Sequence, residues 1–305
     1  MSTKLLSMRE AIQRFVPDGA TVLMGAALES LIPFAAGHEI LRQGRRDLTL
    51  VGPISDILFD QLMGAGCVRG IITAWVGNVS AGLGHNYRRA AEEGIPCPIE
   101  IQDHSNLSLA LALQAGAMGV PFIPTKTLLG TDLLKTNPTL REWVVPWTGE
   151  RLVLVPALQP DVAILHVQRA DPEGAAHCWG NLGVGVEAAL ASRCLILIAE
   201  EIVSAEVIRS DPNRVLVPPI KVRAVVHEPY GAHPSPVQGY YNRDHAFYHE
   251  YHLATRTVEG FAGWAQQWIL DLPSRTAYLE KLGSIRVADL GIRQHRWAAP
   301  VDYGY

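Results

Sequence analysis

Strand-like apolar runs alternate with helix-favouring segments over the first 125 residues of the chain. The runs occupy residues 21–25, 47–51, 68–75, 98–102 and 120–123, and helical patterns precede the first run and separate the later ones. This alternation is typical of α/β proteins that are built on a parallel sheet. The sequence therefore predicts an open, mostly parallel sheet with helices on both faces.

The regularity lapses after Asp132, where prolines and tryptophans between residues 138 and 147 indicate an excursion that leaves the sheet. Strand-like runs resume at residues 152–155 and 161–167 and recur at 194–199 and 222–226. One or two helices follow, over residues 243–270. We interpret residues 1–270 as a single α/β domain and residues 271–305 as a peripheral, helical C-terminal extension.

Composition and charge exclude several classes of protein. A chain of 305 residues with 48% hydrophobic residues has enough apolar material for a sizeable core. A net charge of −4 lacks the positive excess of a nucleic-acid-binding protein. The four cysteines show no C-x-x-C spacing, the first residues lack the apolar segment of a signal peptide, and the most apolar run, 107–123, is interrupted. The sequence predicts a soluble cytoplasmic protein that binds neither nucleic acid nor membrane.

A polar cluster follows the strand-like run 98–102, at its carboxyl end. It consists of Asp103, His104, Ser105 and Asn106, and an Ala/Leu-rich helical run begins directly after it. Ligands bind beyond the carboxyl ends of strands in open α/β sheets, so this is where a site is expected. Asp103 can act as an acid, base or nucleophile, and His104 can titrate near neutral pH. The alternative is that Asp103 merely caps the helix.

Two glycine-rich segments also suggest ligand contacts. Residues 77–84 carry three glycines after a strand-like run, and backbone N–H groups in such a loop can hold an anion or a thioester oxygen. The alternative is a flexible connector. Residues 180–185 have the glycine density of a dinucleotide turn, but they do not form G-x-G-x-x-G and no acid stands at the required offset. A nicotinamide-dependent oxidoreductase is therefore disfavoured.

His245, His249 and His252 recur at helical spacing and share one face of a predicted helix. Two of them can bind a metal in principle, but no H-E-x-x-H sequence is present and tyrosines lie between them. A packing or interface face is the preferred interpretation, and no metal site is predicted. No cysteine shows the surroundings of a nucleophile, and G-x-S-x-G is absent from the sequence.

Together these pieces resemble the A (alpha) subunit of family I coenzyme A transferases, in the glutaconate CoA-transferase branch. The resemblance covers about residues 8–255 in order, and it is specific as a set although each piece alone is weak. The matching pieces are Asp18-Gly19 and residues 46–51, 77–80, 84–89, 98–106, 119–124, 128–132, 170–171, 180–181 and 228–234.

The resemblance implies a Rossmann-like open fold and a hetero-oligomer with a homologous B (beta) subunit. In this family the B subunit carries the glutamate that forms an acyl anhydride and then a glutamyl-CoA thioester. The substrates would be an acyl-CoA thioester and a carboxylate, with no bound cofactor. This chain would contribute walls of the substrate and CoA site, from Gly77, Asn78, Ser80, Asp103, Ser105 and Asn106, and it would be inactive without its partner.

Two departures from the family pattern bear on function. Relatives commonly have Glu-Tyr-Ser-Asn where this chain has residues 103–106, and a related branch of ring-opening CoA-thioester hydrolases uses a glutamate resembling this position for acid–base work. Asp103 is one methylene shorter and can act through a water. Residues 26–30 stand where many relatives have a glycine-rich segment with an arginine. We therefore predict the A subunit of a CoA-transferase. The alternatives are a hydrolase subunit that uses Asp103 and a non-catalytic structural subunit.

Overall fold

The computed structural model describes residues 3–292. The strands, in chain order, are β1 (Thr21–Leu23), β2 (Leu48–Ile54), β3 (Val68–Trp75), β4 (Glu100–Asp103), β5 (Phe122–Thr125), β6 (Arg141–Val144), β7 (Arg151–Pro156), β8 (Val162–Ala170), β9 (Ala176–His177), β10 (Cys194–Ile202) and β11 (Val222–His227). The predicted peripheral position of residues 293–305 concerns residues outside the described range.

The helices are α1 (Met8–Phe15), α2 (Phe34–Arg42), α3 (Asp56–Gly64), α4 (His85–Glu92), α5 (Asn106–Met118), α6 (Leu133–Thr136), α7 (Gly185–Ala191), α8 (Ala205–Ser210), α9 (His245–Ala254), α10 (Val258–Ala265), α11 (Arg275–Leu282) and α12 (Ser284–Leu290). The π-helical turn Gln266–Leu270 continues α10. Helix α1 begins with a capping box, in which the Ser7 hydroxyl accepts the Glu10 N–H and the Glu10 carboxylate accepts the Ser7 N–H. Within residues 3–292, no helix combines the length and apolarity needed to cross a membrane.

Seven strands form one sheet in the order β11-β10-β8-β1-β2-β3-β4, and all neighbouring pairs along this path are parallel. The short strand β9 adds to β8 in antiparallel orientation. The chain builds outward from β1 to β4 on one side and from β8 to β11 on the other. The carboxyl ends of β1 and β8 therefore flank the topological switch point, where open sheets of this kind bind ligands.

Apolar layers cover both faces of the sheet, as predicted. One layer packs residues of α1, α2, α3 and α9 on alternate strand residues such as Val22 and Leu50. The other packs α5 and α7 on the intervening residues, such as Leu23 and Val51. Successive side chains of a strand point to opposite faces, so each central strand serves both layers. Strands buried on both faces have the near-continuous apolar composition that the sequence shows.

The prediction that residues 120–123 form a further strand of the parallel sheet is wrong. Strand β5 instead pairs antiparallel with β7 in a separate sheet of order β5-β7-β6. Pro124 lies within β5 and has no N–H to donate to a ladder, which disfavours a central strand. The small sheet has its own apolar cluster around Val153 and Val155, so the predicted excursion begins one strand earlier than the sequence suggested.

The helices α11 and α12 pack back onto the domain. Tyr278 of α11 is buried in the larger apolar layer, and its hydroxyl is 2.8 Å from His233 Nδ1. Arg275 donates to the carbonyl oxygen of His233 at 2.8 Å, and Arg286 of α12 donates to Asp244 at 2.6 and 2.8 Å. These contacts fix the segment that leads from β11 to α9.

Candidate active site

The loops that follow β1, β2, β3 and β4 gather at the carboxyl edge of the sheet. Close backbone packing brings the carboxyl ends of β1 and β2 together, because a Cβ on Gly52 of β2 would lie 2.4 Å from the Met24 carbonyl oxygen. The backbones of Leu28 and Asp56 adopt positive φ angles of 61° and 51°. Non-glycine residues held in the left-handed region are concentrated at ligand sites and active sites. This edge therefore has the backbone features of a functional site.

Asp56 lies in a fully buried position just beyond β2. Its carboxylate accepts from Arg243 Nη2 at 2.6 Å and from the Val79 N–H at 3.0 Å. Burial raises the pKa of the Asp56 carboxyl, and the Arg243 guanidinium opposes that rise. The ion pair joins the β2 loop to a segment 187 residues further along the chain.

Arg243 lies at the centre of a cluster that it forms with Asp56, Ser80 and Tyr248. Its guanidinium lies 3.7 Å from the centroid of the Tyr248 ring and donates to Ser80 Oγ from both Nε and Nη2 at 3.3 Å. The Glu29 carboxylate is 4.0 Å from Nη1, which is too long for a hydrogen bond. In the part of the chain that the structure describes, Nη1 has no acceptor although it is buried.

The glycine-rich loop 77–84 is supported from within and does not present a row of backbone donors. The N–H groups of residues 78–82 bond to Gly82 O, Asp56 Oδ1, Asn78 Oδ1 and Asn78 O. The Asn78 side chain is buried and donates to the Tyr248 carbonyl at 2.8 Å, which ties the loop to α9. Gly77 is required by packing, since a Cβ there would lie 2.6 Å from the Trp75 ring. Ser80 Oγ is also 3.2 Å from His245 Nδ1.

The predicted polar cluster at the end of β4 divides into buried and exposed residues. His104 is buried, with Nδ1 3.0 Å from Ser108 Oγ and Nε2 3.1 Å from Gln102 Nε2. Burial lowers the pKa of His104 to about 4, so the expectation that it titrates near neutral pH is wrong. The buried ring has a structural role.

Ser105, and not Asp103, caps α5, because its hydroxyl accepts the Ser108 N–H at 3.0 Å. The side chains of Asp103 and Asn106 are exposed at the carboxyl end of β4, where Asp103 is in register with Thr73 of β3. Burial, and then the nearby Asp103 carboxylate, raise the pKa of Tyr87 on α4. Asp103 is therefore a solvent-facing carboxylate close to a tyrosine.

The three histidines of α9 do not converge. His245 contacts Ser80, His249 is exposed, and the His252 ring lies against His85 in a tilted arrangement with a centroid distance of 4.5 Å. Across residues 3–292, no group of three or more His, Cys, Asp or Glu side chains is arranged to hold a metal ion.

The second glycine-rich segment supports the β1 loop. The Val184 N–H donates to the Ala26 carbonyl at 2.9 Å, and Asn181 Nδ2 donates to the Ala27 carbonyl at 3.2 Å. Gly183 has φ +51°, and a Cβ there would lie 2.2 Å from the Ala26 oxygen. Its glycines thus allow the close approach of two loops.

Sequence reasoning singled out the loop 77–84 and the end of β4 as candidate parts of a site. It missed Asp56, Arg243 and Tyr248. The available signal was weak: Asp56 follows a strand end directly, and Arg243 precedes the helix that carries the histidines. No local pattern shows that these two residues pair.

Comparisons with known proteins agree on one family. A family described as "Coenzyme A transferase" matches residues 5–228. The A subunit of a 3-oxoadipate CoA-transferase from Pseudomonas knackmussii is 43% identical over 266 residues, which cover 87% of this chain and 93% of the relative. The A subunit of the glutaconate CoA-transferase from Acidaminococcus fermentans is 34% identical over 95% of each chain. A solved structure of the Acidaminococcus glutaconate coenzyme A-transferase superposes with a TM-score of 0.90 over 96% of each chain.

Proposed function

Because the chain belongs to the coenzyme A transferase family, we propose that it moves coenzyme A between an acyl-CoA thioester and a carboxylate acceptor. It does so as the A subunit of a hetero-oligomer with a homologous B subunit. The observation that carries this proposal is the 43% identity over nearly the whole length of the A subunit of a 3-oxoadipate CoA-transferase. The cytoplasmic location and the domain boundary at residue 270 stay predictions.

The nucleophile in this proposal is a glutamate of the partner subunit. Its carboxylate attacks the acyl-CoA carbonyl and displaces the CoA thiolate, which leaves an acyl anhydride. The thiolate then attacks the glutamyl carbonyl, releases the first acid as a carboxylate and forms a glutamyl-CoA thioester. The acceptor carboxylate then attacks the glutamyl-CoA thioester and displaces the CoA thiolate, which leaves an anhydride between the acceptor and the glutamate. The thiolate attacks the acceptor carbonyl of this anhydride, which forms the new acyl-CoA and frees the glutamate. Atoms and electrons balance without a further reactant or a bound cofactor.

This chain supplies hydrogen-bond donors and part of the wall of the site in which those steps take place. Each step places negative charge on a carbonyl oxygen, which hydrogen-bond donors stabilise. Arg243 donates to Ser80 Oγ, so the Ser80 hydroxyl hydrogen is available to His245 Nδ1 or to a ligand oxygen. We assign the wall of the site to Gly77, Asn78, Ser80, Ser105 and Asn106, with Asn78 acting by holding the loop in place.

The test is a reconstitution with a homologous B subunit. Acyl-CoA is followed with and without acetate, and each of the two chains by itself is the control. Carboxylate-dependent formation of acetyl-CoA is the expected result. If neither a Ser80→Ala nor an Asn106→Ala variant changes the rate, the site assigned to this chain is wrong.

A second candidate function is CoA-thioester hydrolysis with Asp103 as acid–base residue, and the exposed carboxylate at the end of β4 favours it. Thioester loss without any acceptor would indicate hydrolysis, and an Asp103→Asn variant would then lose most of that activity. In the transferase, Asp103→Asn leaves acetate-dependent exchange within a few-fold of the parent rate. A structural, non-catalytic chain that only shapes the partner's site would still activate its B partner on mixing, but Ser80→Ala, Asn106→Ala and Asp103→Asn would all leave that rate unchanged.

A further inference from the structure

A cleft of about 550 Å³ opens at the amino edge of the sheet, beside the start of the edge strand β11. Its apolar lining includes Leu6 from the segment before α1, Phe15 from the end of α1, and Ile220 and Val222 from the turn that leads into β11. The residues of the candidate site follow the carboxyl ends of parallel strands, so the cleft lies at the opposite edge of the sheet. Its volume is within the range of roughly 300–1,000 Å³ for clefts that bind small molecules, and its mostly apolar lining is typical of them.

The charged groups of the cleft are cations. Lys4, Arg14 and Arg223 line it, and no acidic side chain of the described part of the chain does so. Arg14 is 59% exposed, and the nearby Glu10 carboxylate is 3.9 Å away, which is too long for a hydrogen bond. Arg223 is exposed, and within residues 3–292 it has neither a hydrogen bond nor an ion pair. The whole chain has a net charge of −4, so this positive charge is local and favours an anion at this place.

Hydrogen bonds fix the walls of the cleft. The Lys4 N–H donates to the Pro172 carbonyl at 2.7 Å, and Lys4 Nζ donates to the Pro219 carbonyl at 2.7 Å. The Leu6 N–H donates to the Val225 carbonyl at 3.0 Å, and the Val225 N–H donates to the Lys4 carbonyl at 2.9 Å. These bonds hold the segment before α1 along the outer side of β11. A ligand would meet walls that are already ordered, which lowers the entropic cost of binding.

Ile220 indicates that the cleft receives an apolar group. Its side chain is 84% exposed, the highest value for a large hydrophobic residue within residues 3–292. Pro218 and Pro219 precede it, and their fixed φ angles restrict the backbone that presents this side chain to solvent. A single exposed apolar residue needs no explanation, but Ile220 continues the lining of a cleft that also carries cations. An apolar body with an anionic group would contact both.

We propose that this cleft binds a small amphipathic anion, that is, an aliphatic or aromatic body with one carboxylate, sulfonate or phosphate group. The body lies on the apolar lining beside Ile220, and the anionic group binds Arg14 and Arg223. The Lys4 ammonium already donates to the Pro219 carbonyl, so the two arginines supply the donors for the ligand. The site goes beyond the proposed function, because it requires neither coenzyme A nor a residue of the partner subunit. Since the cleft exists only in the folded chain, a ligand there stabilises the fold.

The test uses the complex of the full chain with a homologous B subunit and a fluorescent probe, anilinonaphthalene sulfonate, which has an aromatic body and one sulfonate. We expect saturable binding that weakens as the salt concentration rises. Hexanesulfonate should displace the probe and raise the Tm of the complex, whereas hexanol, which has no charge, should do neither. Arg223→Gln should weaken probe binding about threefold, the effect of one solvent-exposed ion pair.

Ile220→Glu is the decisive variant, because it places a negative charge in the cleft at a position so exposed that the fold should tolerate it. It should weaken probe binding by about tenfold or more, since like charges then face each other. Ile285→Glu, at a 79% exposed isoleucine of α12, is the matched control and should bind the probe like the parent chain. If the two variants bind the probe equally, or if hexanol competes as well as hexanesulfonate, the inference is overturned. Probe binding by the isolated chain that disappears in the complex would also overturn it, because the B subunit would then cover the cleft.

Discussion

The Asp56–Arg243 pair illustrates what single residues contribute at the carboxyl edge. Both side chains are almost fully withdrawn from solvent, with 0% and 3% exposure, so each charge depends on the other. A buried ion pair contributes little net stability, but the loss of one partner leaves an uncompensated charge. The pair therefore fixes the arrangement of the β2 and β3 loops more than it stabilises the fold.

Substitution of Asp56 by Asn is expected to lower the free energy of unfolding by about 3 kcal/mol, because Arg243 stays charged and buried without its partner. Denaturant unfolding measures the change. Glu92→Gln is the control, since Glu92 pairs with Arg88 where both side chains are 56% exposed. Such a surface pair is worth less than about 1 kcal/mol. Equal effects of the two substitutions would contradict the buried-pair interpretation.

His104 makes stability depend on pH. Its folded-state pKa of about 4 lies below the value of about 6.5 for an unfolded histidine. Between these values the unfolded chain binds more protons, so the free energy of unfolding falls as pH drops from 6.5 towards 4. From pH 7 to pH 5 the contribution of His104 amounts to about 2 kcal/mol. A His104→Gln variant should lose that part of the pH dependence, whereas His249→Gln, at an exposed position of α9, should keep it. An unchanged pH dependence in His104→Gln would count against the buried neutral ring.

At the scale of elements, loops support one another across the carboxyl edge. The segment 180–185 before α7 contacts the β1 loop, and the loop 77–84 is tied to α9. Both loops thus derive their positions from elements far away in sequence. The glycines that resembled ligand-binding patterns in the sequence serve this close packing.

Gly183→Ala tests that support. Gly183 and Gly119 both have positive φ angles, of 51° and 70°, so alanine at either position incurs the left-handed penalty of about 1 kcal/mol. A Cβ on Gly119 meets nothing within 4 Å, whereas one on Gly183 would lie 2.2 Å from the Ala26 oxygen. We expect Gly183→Ala to be less stable than Gly119→Ala by about 2 kcal/mol in thermal or denaturant unfolding, as for an overpacked site. Equal stabilities would mean that the β1 loop adapts freely.

Across the molecule as a whole, the sequence predicted features that depend on residues close together in the chain, and it missed contacts between residues that are far apart in the chain. The strand-helix alternation and the helix that begins directly after residues 103–106 follow from short-range patterns, and they were found. The pairing of β5 depends on β7, and the Asp56–Arg243 contact spans 187 residues. No short stretch of sequence contains such information, so the small sheet and the Asp56–Arg243 contact could be recognised only in the structure.

The C-terminal helices are the largest long-range feature of this kind, and they lead to a prediction about the whole chain. A chain that ends at residue 270 would lose Arg275, Tyr278 and Arg286, which contact His233 and Asp244 on the segment that carries Arg243. Without these helices, His233 and Asp244 lose their contacts to Arg275, Tyr278 and Arg286, and the core loses the buried Tyr278 ring; the loss of one large buried aromatic side chain costs about 3–5 kcal/mol. We expect this chain to unfold at lower denaturant concentration and to lose CoA-transfer activity in the complex with the B subunit. A chain that ends at residue 292 is the control, and it should keep both properties. If the two truncated chains are equally stable, residues 271–292 are a dispensable extension, and the boundary predicted at residue 270 is a true domain end.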